Sequence, residues 1–104
     1  MKSKRTLATS IKNKVRQRVR ERDKWCIFCG RSGTDTMHFV PRSSGGLGIE
    51  QNLALGCRTC HMMLDQTTKR KEMLKHFERH LQKHYGEFDR KDLIYKKYET
   101  YSED

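Results

Sequence analysis

At 104 residues the chain has the length of one small domain, and with only 34% hydrophobic residues it needs a staple beyond its own core. Lys and Arg number 23 against 13 Asp and Glu, and the net charge of +10 points to a polyanionic partner such as nucleic acid. No run approaches about 18 apolar residues and the basic start MKSKR leads into no apolar signal segment, so the composition argues against a membrane span or leader and predicts a cytoplasmic protein.

Residues 8 to 23, ATSIKNKVRQRVRERD, place Ile11, Val15 and Val19 at a spacing of four, with Thr9 or Ser10 as a cap. This predicts an amphipathic helix whose basic back, Lys12, Lys14, Arg16, Arg18, Arg20 and Arg22, is left to meet phosphate or solvent. WCIFCG and GCRTCH follow as two CxxC units, Cys26 with Cys29 and Cys57 with Cys60. In a reducing cytosol that pattern reads as four thiolates around one structural zinc, disulfides or thiol redox chemistry being the alternative. Four thiolates leave no open coordination position, so this metal fastens the fold and is not a catalytic centre. Gly30, just after the first pair, fits a positive φ.

Between the pairs, TDTMHFV is bounded by Gly33 and Pro41 and predicts a short strand near 36 to 40; RSSGGLGIEQ is a glycine-rich loop, and NLALG a second short strand. A helix, RTCHMMLDQ, starts from Arg58. Downstream, Met73, Phe77, Leu81 and Tyr85 repeat every four residues between a Thr67 or Thr68 cap and a Gly86 stop, and His76, His80 and His84 read as the wet flank of that helix rather than a metal ladder. A last helix is predicted from about Asp89 through Leu93, Ile94 and Tyr98, ahead of an acidic tail. The expected division is a basic N-terminal helix over 1–24, a zinc-stapled core over 25–66, and C-terminal helices over 67–104 packed on it.

Three polar residues fall at the joints of that core: His38 on the first strand, Asn52 where the loop rejoins the second, and His61 beside Cys60 at the helix start. His61 and Asp65, four apart, share one helix face and suit a divalent cation whose other positions go to water and substrate phosphate. The stretch from HFVPRSSGG through NLALGCRTCH, with its flanking knuckles, resembles the HNH endonucleases, of the kind found in phage and bacteria, over roughly residues 25 to 66.

The resemblance implies an α+β fold, a small ββα-metal core stapled by a four-cysteine zinc, with flanking helices. It implies a metal-dependent endonuclease that nicks or cuts double-stranded DNA with low sequence specificity. His38 matches the general base, Asn52 the residue that shapes the base-bearing loop or contributes to the metal, and His61 a ligand of the catalytic ion (Mg²⁺, Mn²⁺, Ni²⁺ or Zn²⁺), with Asp65 where some members place another. Arg42, with Lys14, Arg16, Arg18 and Arg20, is expected on the DNA backbone. Partners implied are double-stranded DNA, a second copy where both strands are cut, and other phage DNA-processing proteins, in the bacterial host cell if the chain is phage-encoded. Met37 departs from the family, where many members carry Asp, Glu or His before the base, because a thioether is a poor ligand for a hard cation. Either His61 and Asp65 hold the metal with water in the gap, or His38 is itself a ligand; Asp35, on Met37's strand face, is placed to reach in, and Met37→Asp is expected to tighten hard cations. The rival reading is a zinc-ribbon nucleic-acid binding module without activity.

Overall fold

The computed structural model describes residues 3–96. Ser3 caps the first helix, α1 (Lys4–Thr9), by accepting from the Thr6 amide at 3.1 Å. The single helix expected over 8–23 is in fact two pieces, because the chain is extended at Ser10 and Lys12 before α2 (Asn13–Asp23) begins. A continuous helix would bond the carbonyls of Ala8 and Thr9 to amides four residues on. Here Gly48 N takes the Ala8 carbonyl at 3.0 Å and His38 Nε2 lies 3.2 Å from that of Thr9. The Thr9 and Ser10 hydroxyls donate back to the carbonyls of Arg5 and Thr6, which ends α1 as side-chain competition predicts.

The stripe read from α2 does pack inward: Val19 is fully buried with Leu53 and Leu55, and Ile11 and Val15 flank them. Strands β1 (Asp35–His38) and β2 (Leu53–Gly56) pair antiparallel in the register Asp35–Gly56, Thr36–Leu55, Met37–Ala54 and His38–Leu53. Opposed residues share a face, so Thr36 and His38 lie with the α2-facing leucines while Asp35 and Met37 face the other way. That second face carries the larger core, where Met37, Phe39, Val40 and Ala54 meet Leu64 of α3 (Arg58–Gln66) and Phe77 and Leu81 of α4 (Arg70–Tyr85). Phe39 stands between the rings of Phe77 and Phe88, at 5.4 and 5.9 Å.

Neither Thr67 nor Thr68 is the N-cap of α4, which is Lys69; the Thr67 hydroxyl donates to the Met63 carbonyl at the end of α3 and accepts from the Lys69 amide just ahead of α4. The final helix expected from Asp89 is a single 3₁₀ turn (Arg90–Leu93), capped by Asp89, and the chain then runs extended so that Ile94 bridges Gly46. Leu47 N bonds the Leu93 carbonyl and Tyr95 N that of Gly45, both at 2.8 Å, so this segment binds the glycine-rich loop instead of coiling. Tyr98 and the acidic tail lie outside the described residues. No helix among the described residues is long and apolar enough to cross a membrane. The architecture is a small α+β fold, a two-stranded sheet between helices.

Candidate metal and phosphate sites

The two CxxC pairs come together as their spacing predicts. The four Sγ atoms of Cys26, Cys29, Cys57 and Cys60 all lie within 4.8 Å of one another. Cys29 and Cys57 are 3.7 Å apart, far beyond the roughly 2 Å of a disulfide and close to the edge, about 3.8 Å, of a tetrahedron with 2.3 Å zinc–sulfur bonds. None of the four is paired in a disulfide. Local geometry makes each half of the site: Gly30 sits at φ 76° and closes the first turn through its amide to the Cys26 carbonyl, while Cys57 caps α3 by accepting from Cys60 N. Burial pushes the Cys26 thiol up, but the amides of Cys57, Cys29 and Phe28 more than offset this and bring it down to about 7, while burial and the neighbouring thiols push Cys60 up, so the bare cluster gathers its charge on Cys26. The donor set fits a structural metal such as zinc.

Asn52 is fully buried and its amide is wholly spent. Its Oδ1 accepts from Val40 N at 2.8 Å, and its Nδ2 donates to the carbonyls of Val40 at 3.2 Å and Leu47 at 2.8 Å. The side chain ties the start of the loop that follows β1, at Val40, to its middle, at Leu47, and turns no atom to solvent.

His38 stands at the end of β1, half-buried, its Nε2 against the Thr9 carbonyl. Burial lowers its pKa, the carbonyl opposes this, and the neighbouring Arg42, Arg16 and His61 lower it further, which favours the neutral ring. Arg42 does not hang free: its Nε reaches Thr9 Oγ1 at 3.3 Å and Nη2 the Ser10 hydroxyl at 2.9 Å, which holds its cation near His38.

His61 lies at the start of α3, with Nδ1 2.9 Å from Asp35 Oδ2 and Nε2 3.5 Å from Asp65 Oδ2. Asp35 thus reaches in as its strand position allowed, and Arg58 Nε adds a second contact to the same oxygen at 3.1 Å. The bond from His61 holds Asp35 below the usual carboxylate range against the opposing burial, with help from Thr34 and Arg58. Met37 does not line this group. Its side chain is fully buried in the core, so Met37→Asp would place a carboxylate among Phe39, Leu64 and Phe77 rather than beside a cation, correcting the expected gain in hard-metal affinity. His38 lies on one face of β1, while His61 of α3 meets Asp35 on the other, and the two histidines are within electrostatic reach. Among the described residues, His38, His61 and Asp65 form no ready three-ligand group.

A third cluster was not anticipated. Asp23, with no side-chain exposure, accepts from Arg22 through both oxygens at 2.6 and 2.9 Å, from His80 Nε2 at 2.8 Å, and from Leu55 N at 2.9 Å. Arg22 carries on to the carbonyls of Glu50 and Leu53 and the hydroxyl of Tyr85. Burial alone would raise Asp23, but His80, Arg22 and the Leu55 amide hold it far below the carboxylate range. Arg22 is therefore not available to phosphate, and His80 is not wet. His76 and His84 are exposed and match the expected solvent flank, His76 bonding the Ile27 carbonyl through Nε2 at 2.6 Å; His80 alone of the three departs from it. His84 brings a third ligand atom near Asp23 and His80, yet Asp23's oxygens are already taken up by Arg22, His80 and Leu55, which makes the cluster a structural knot joining α2, β2 and α4. Nothing local to Asp23 announces partners as distant in sequence as His80.

The other basic residues of α2 stay on the surface. Arg16 and Arg20 border a shallow depression with Asn13, Gln17 and Glu21; Lys14 is exposed, and Arg18 pairs with Glu50 at 3.1 Å. Comparison with protein-family models and with curated proteins gives no match to this chain.

Proposed function

We propose that the protein is a metal-dependent endonuclease of the HNH type acting on double-stranded DNA. The observation that carries this reading is His38: an imidazole whose neutral form is favoured, at a strand end, anchored through one ring nitrogen, beside a loop clamped by buried Asn52 and surrounded by positive charge. A base that is unprotonated at neutral pH and held by one nitrogen has its other nitrogen for a water proton, while Arg42 and Arg16 attract the phosphodiester that the water attacks. His61 and Asp65, with Asp35 steadying the His61 ring, are the residues that would hold a divalent cation. Such an ion, when bound, neutralises phosphate charge and stabilises the leaving oxygen. The four cysteines would hold zinc to fasten the fold, and the exposed Lys14, Arg16 and Arg20 supply affinity that falls steeply with salt.

Supercoiled plasmid incubated with Mg²⁺, Mn²⁺, Ni²⁺ or Zn²⁺, and again with EDTA, tests it. Cleavage that needs a metal is expected, with His38→Ala losing about 10²- to 10⁴-fold and no metal concentration restoring it. His61→Ala and Asp65→Ala are expected to regain part of their loss as metal is raised. One specific observation favours the rival, a zinc module that binds nucleic acid without cutting it: Met37 fills the core where many family members carry a ligand. DNA binding with no cleavage under any of the four metals would select that rival.

A further inference from the structure

The chain's single tryptophan, Trp25, stands 59% exposed at the joint between α2 and the first cysteine pair. One exposed apolar side chain is ordinary by itself; its setting here is not. The chain reaches Trp25 through a three-residue turn around Lys24, at φ 66° and ψ −42°, in which the Trp25 amide donates to the Asp23 carbonyl at 2.7 Å. Among the described residues Lys24 is the one non-glycine with a positive φ, a strained geometry that glycine would adopt freely. Past the turn the backbone is fixed, since Trp25 bridges Ser32 and the Cys26 amide donates to the Arg31 carbonyl at 2.7 Å. A rigid support thus carries the indole, with exposed Lys24 before it and exposed Arg31 across the knuckle. Among the described residues no aromatic ring or cation stacks on it.

The cations continue along α2. Arg16, Arg20 and Lys24 recur every four residues, all exposed, and the first two border one shallow depression. The charge of Arg16 acts on His38, so this ridge starts at the candidate base and ends at the indole, about 12 Å further on by helical rise. We propose that Trp25 stacks on an unpaired base of a DNA strand whose phosphates follow Arg16, Arg20 and Lys24, so that the protein favours duplex DNA with unpaired bases near the cut. The proposal rests on the endonuclease reading and narrows its substrate class. In an intact duplex each base is already paired and stacked, and no base face is free for an indole. An unpaired base offers its π-face to an aromatic plane, while cations on either side hold the backbone. At about 3.4 Å per nucleotide the ridge spans roughly three or four nucleotides.

Because the chain holds one tryptophan, its fluorescence reports this position alone. The full chain, with no divalent cation added, is titrated with a labelled intact duplex and with the same duplex carrying a gap of about four nucleotides in one strand. A third DNA has abasic sites at the unpaired positions opposite the gap, which keeps every phosphate and removes the bases. Gapped DNA is expected to quench the fluorescence and to bind more tightly than intact duplex, and the abasic gap to do neither. By anisotropy of the label, Trp25→Ala is expected to bind gapped DNA about 5- to 100-fold less tightly, with Trp25→Phe keeping part of the preference. Arg20→Ala should weaken gapped and intact DNA alike. Equal affinity for gapped and intact DNA, quenching by the abasic gap, or a preference retained in Trp25→Ala overturns the proposal. Equal quenching by polyglutamate assigns the ring to an acidic protein partner and overturns it too. A preference for gapped DNA with no cleavage under Mg²⁺, Mn²⁺, Ni²⁺ or Zn²⁺ supports the stacking role and overturns the endonuclease reading. Metal-dependent cleavage without that preference overturns the stacking role alone.

Discussion

Two histidine-bearing clusters flank the same pair of strands and differ in what their polar atoms have left over. In the Arg22–Asp23–His80 knot each Asp23 oxygen accepts two hydrogen bonds, the carboxylate is sealed from solvent, and Arg22 reaches two carbonyls and a hydroxyl beyond it. At the end of β1 and the start of α3, His38 is bonded, among the described residues, through Nε2 alone, and His61 keeps about a third of its side chain exposed with a loose 3.5 Å contact to Asp65. A saturated cluster holds elements together; one with unspent donors and acceptors has capacity for a ligand. The four-cysteine group belongs with the first kind, because four thiolates complete a metal's shell.

Breaking the closed clusters should therefore cost folding, and breaking the open one should cost activity. The largest effect is expected from Cys57→Ser, which removes one ligand and a helix cap together: zinc measured by elemental analysis should fall well below one per chain, and the cooperative thermal transition should vanish. Undiminished zinc with an unchanged melt would break the comparison at its strongest point. Asp23→Asn comes next, since it leaves Arg22 and His80 around a neutral amide; a loss of about 3 kcal/mol is expected, read as a fall in Tm of about 15 °C. Met37→Asp should cost a similar amount by burying an unpaired carboxylate, with no gain in Mg²⁺ affinity by calorimetry, whereas Met37→Leu should cost under about 1.5 kcal/mol.

Acid separates the clusters without mutation. Asp23 has a folded pKa below its unfolded value of about 3.9, so its stabilisation is complete above about pH 4 and is lost as pH falls through the folded value. His38 is also depressed on folding, from about 6.5, so its contribution is complete above that pH and declines earlier on acidification. Urea denaturation across pH 5 to 8 should show the upper window, with His38→Gln erasing it and Asp23→Asn leaving it in place. The smallest expected effect is on the stability of His38→Ala at pH 8, about 1 kcal/mol or less, beside its large loss of cleavage. A drop in Tm as large as that of Asp23→Asn would show that His38 is structural.

Short-range chemistry was legible in the residues themselves. The CxxC spacing, Gly30 at a positive φ, both strands, the helix from Arg58 and the Met73, Phe77 and Leu81 part of the α4 stripe all depend on neighbours within a few positions, where propensity and periodicity act directly, whereas Tyr85, read into the same stripe, is exposed. Strand alternation also already separated Met37 from His38, since adjacent strand residues point to opposite faces, and the structure shows what that means: one is core and the other faces the α2 side. Only tertiary structure could decide the rest. The break after Thr9 exists because Gly48 and His38 take carbonyls that a lone helix would keep. The last predicted helix is extended at Ile94 because the glycine-rich loop offers it a bridge. Arg22 and His80 leave the solvent because Asp23, Leu53 and Tyr85 arrive from distant parts of the chain. Each of these outcomes turns on a hydrogen bond to a remote backbone or side-chain group, and a buried donor or acceptor must find its partner wherever the fold brings one, a demand that no local pattern of residues records.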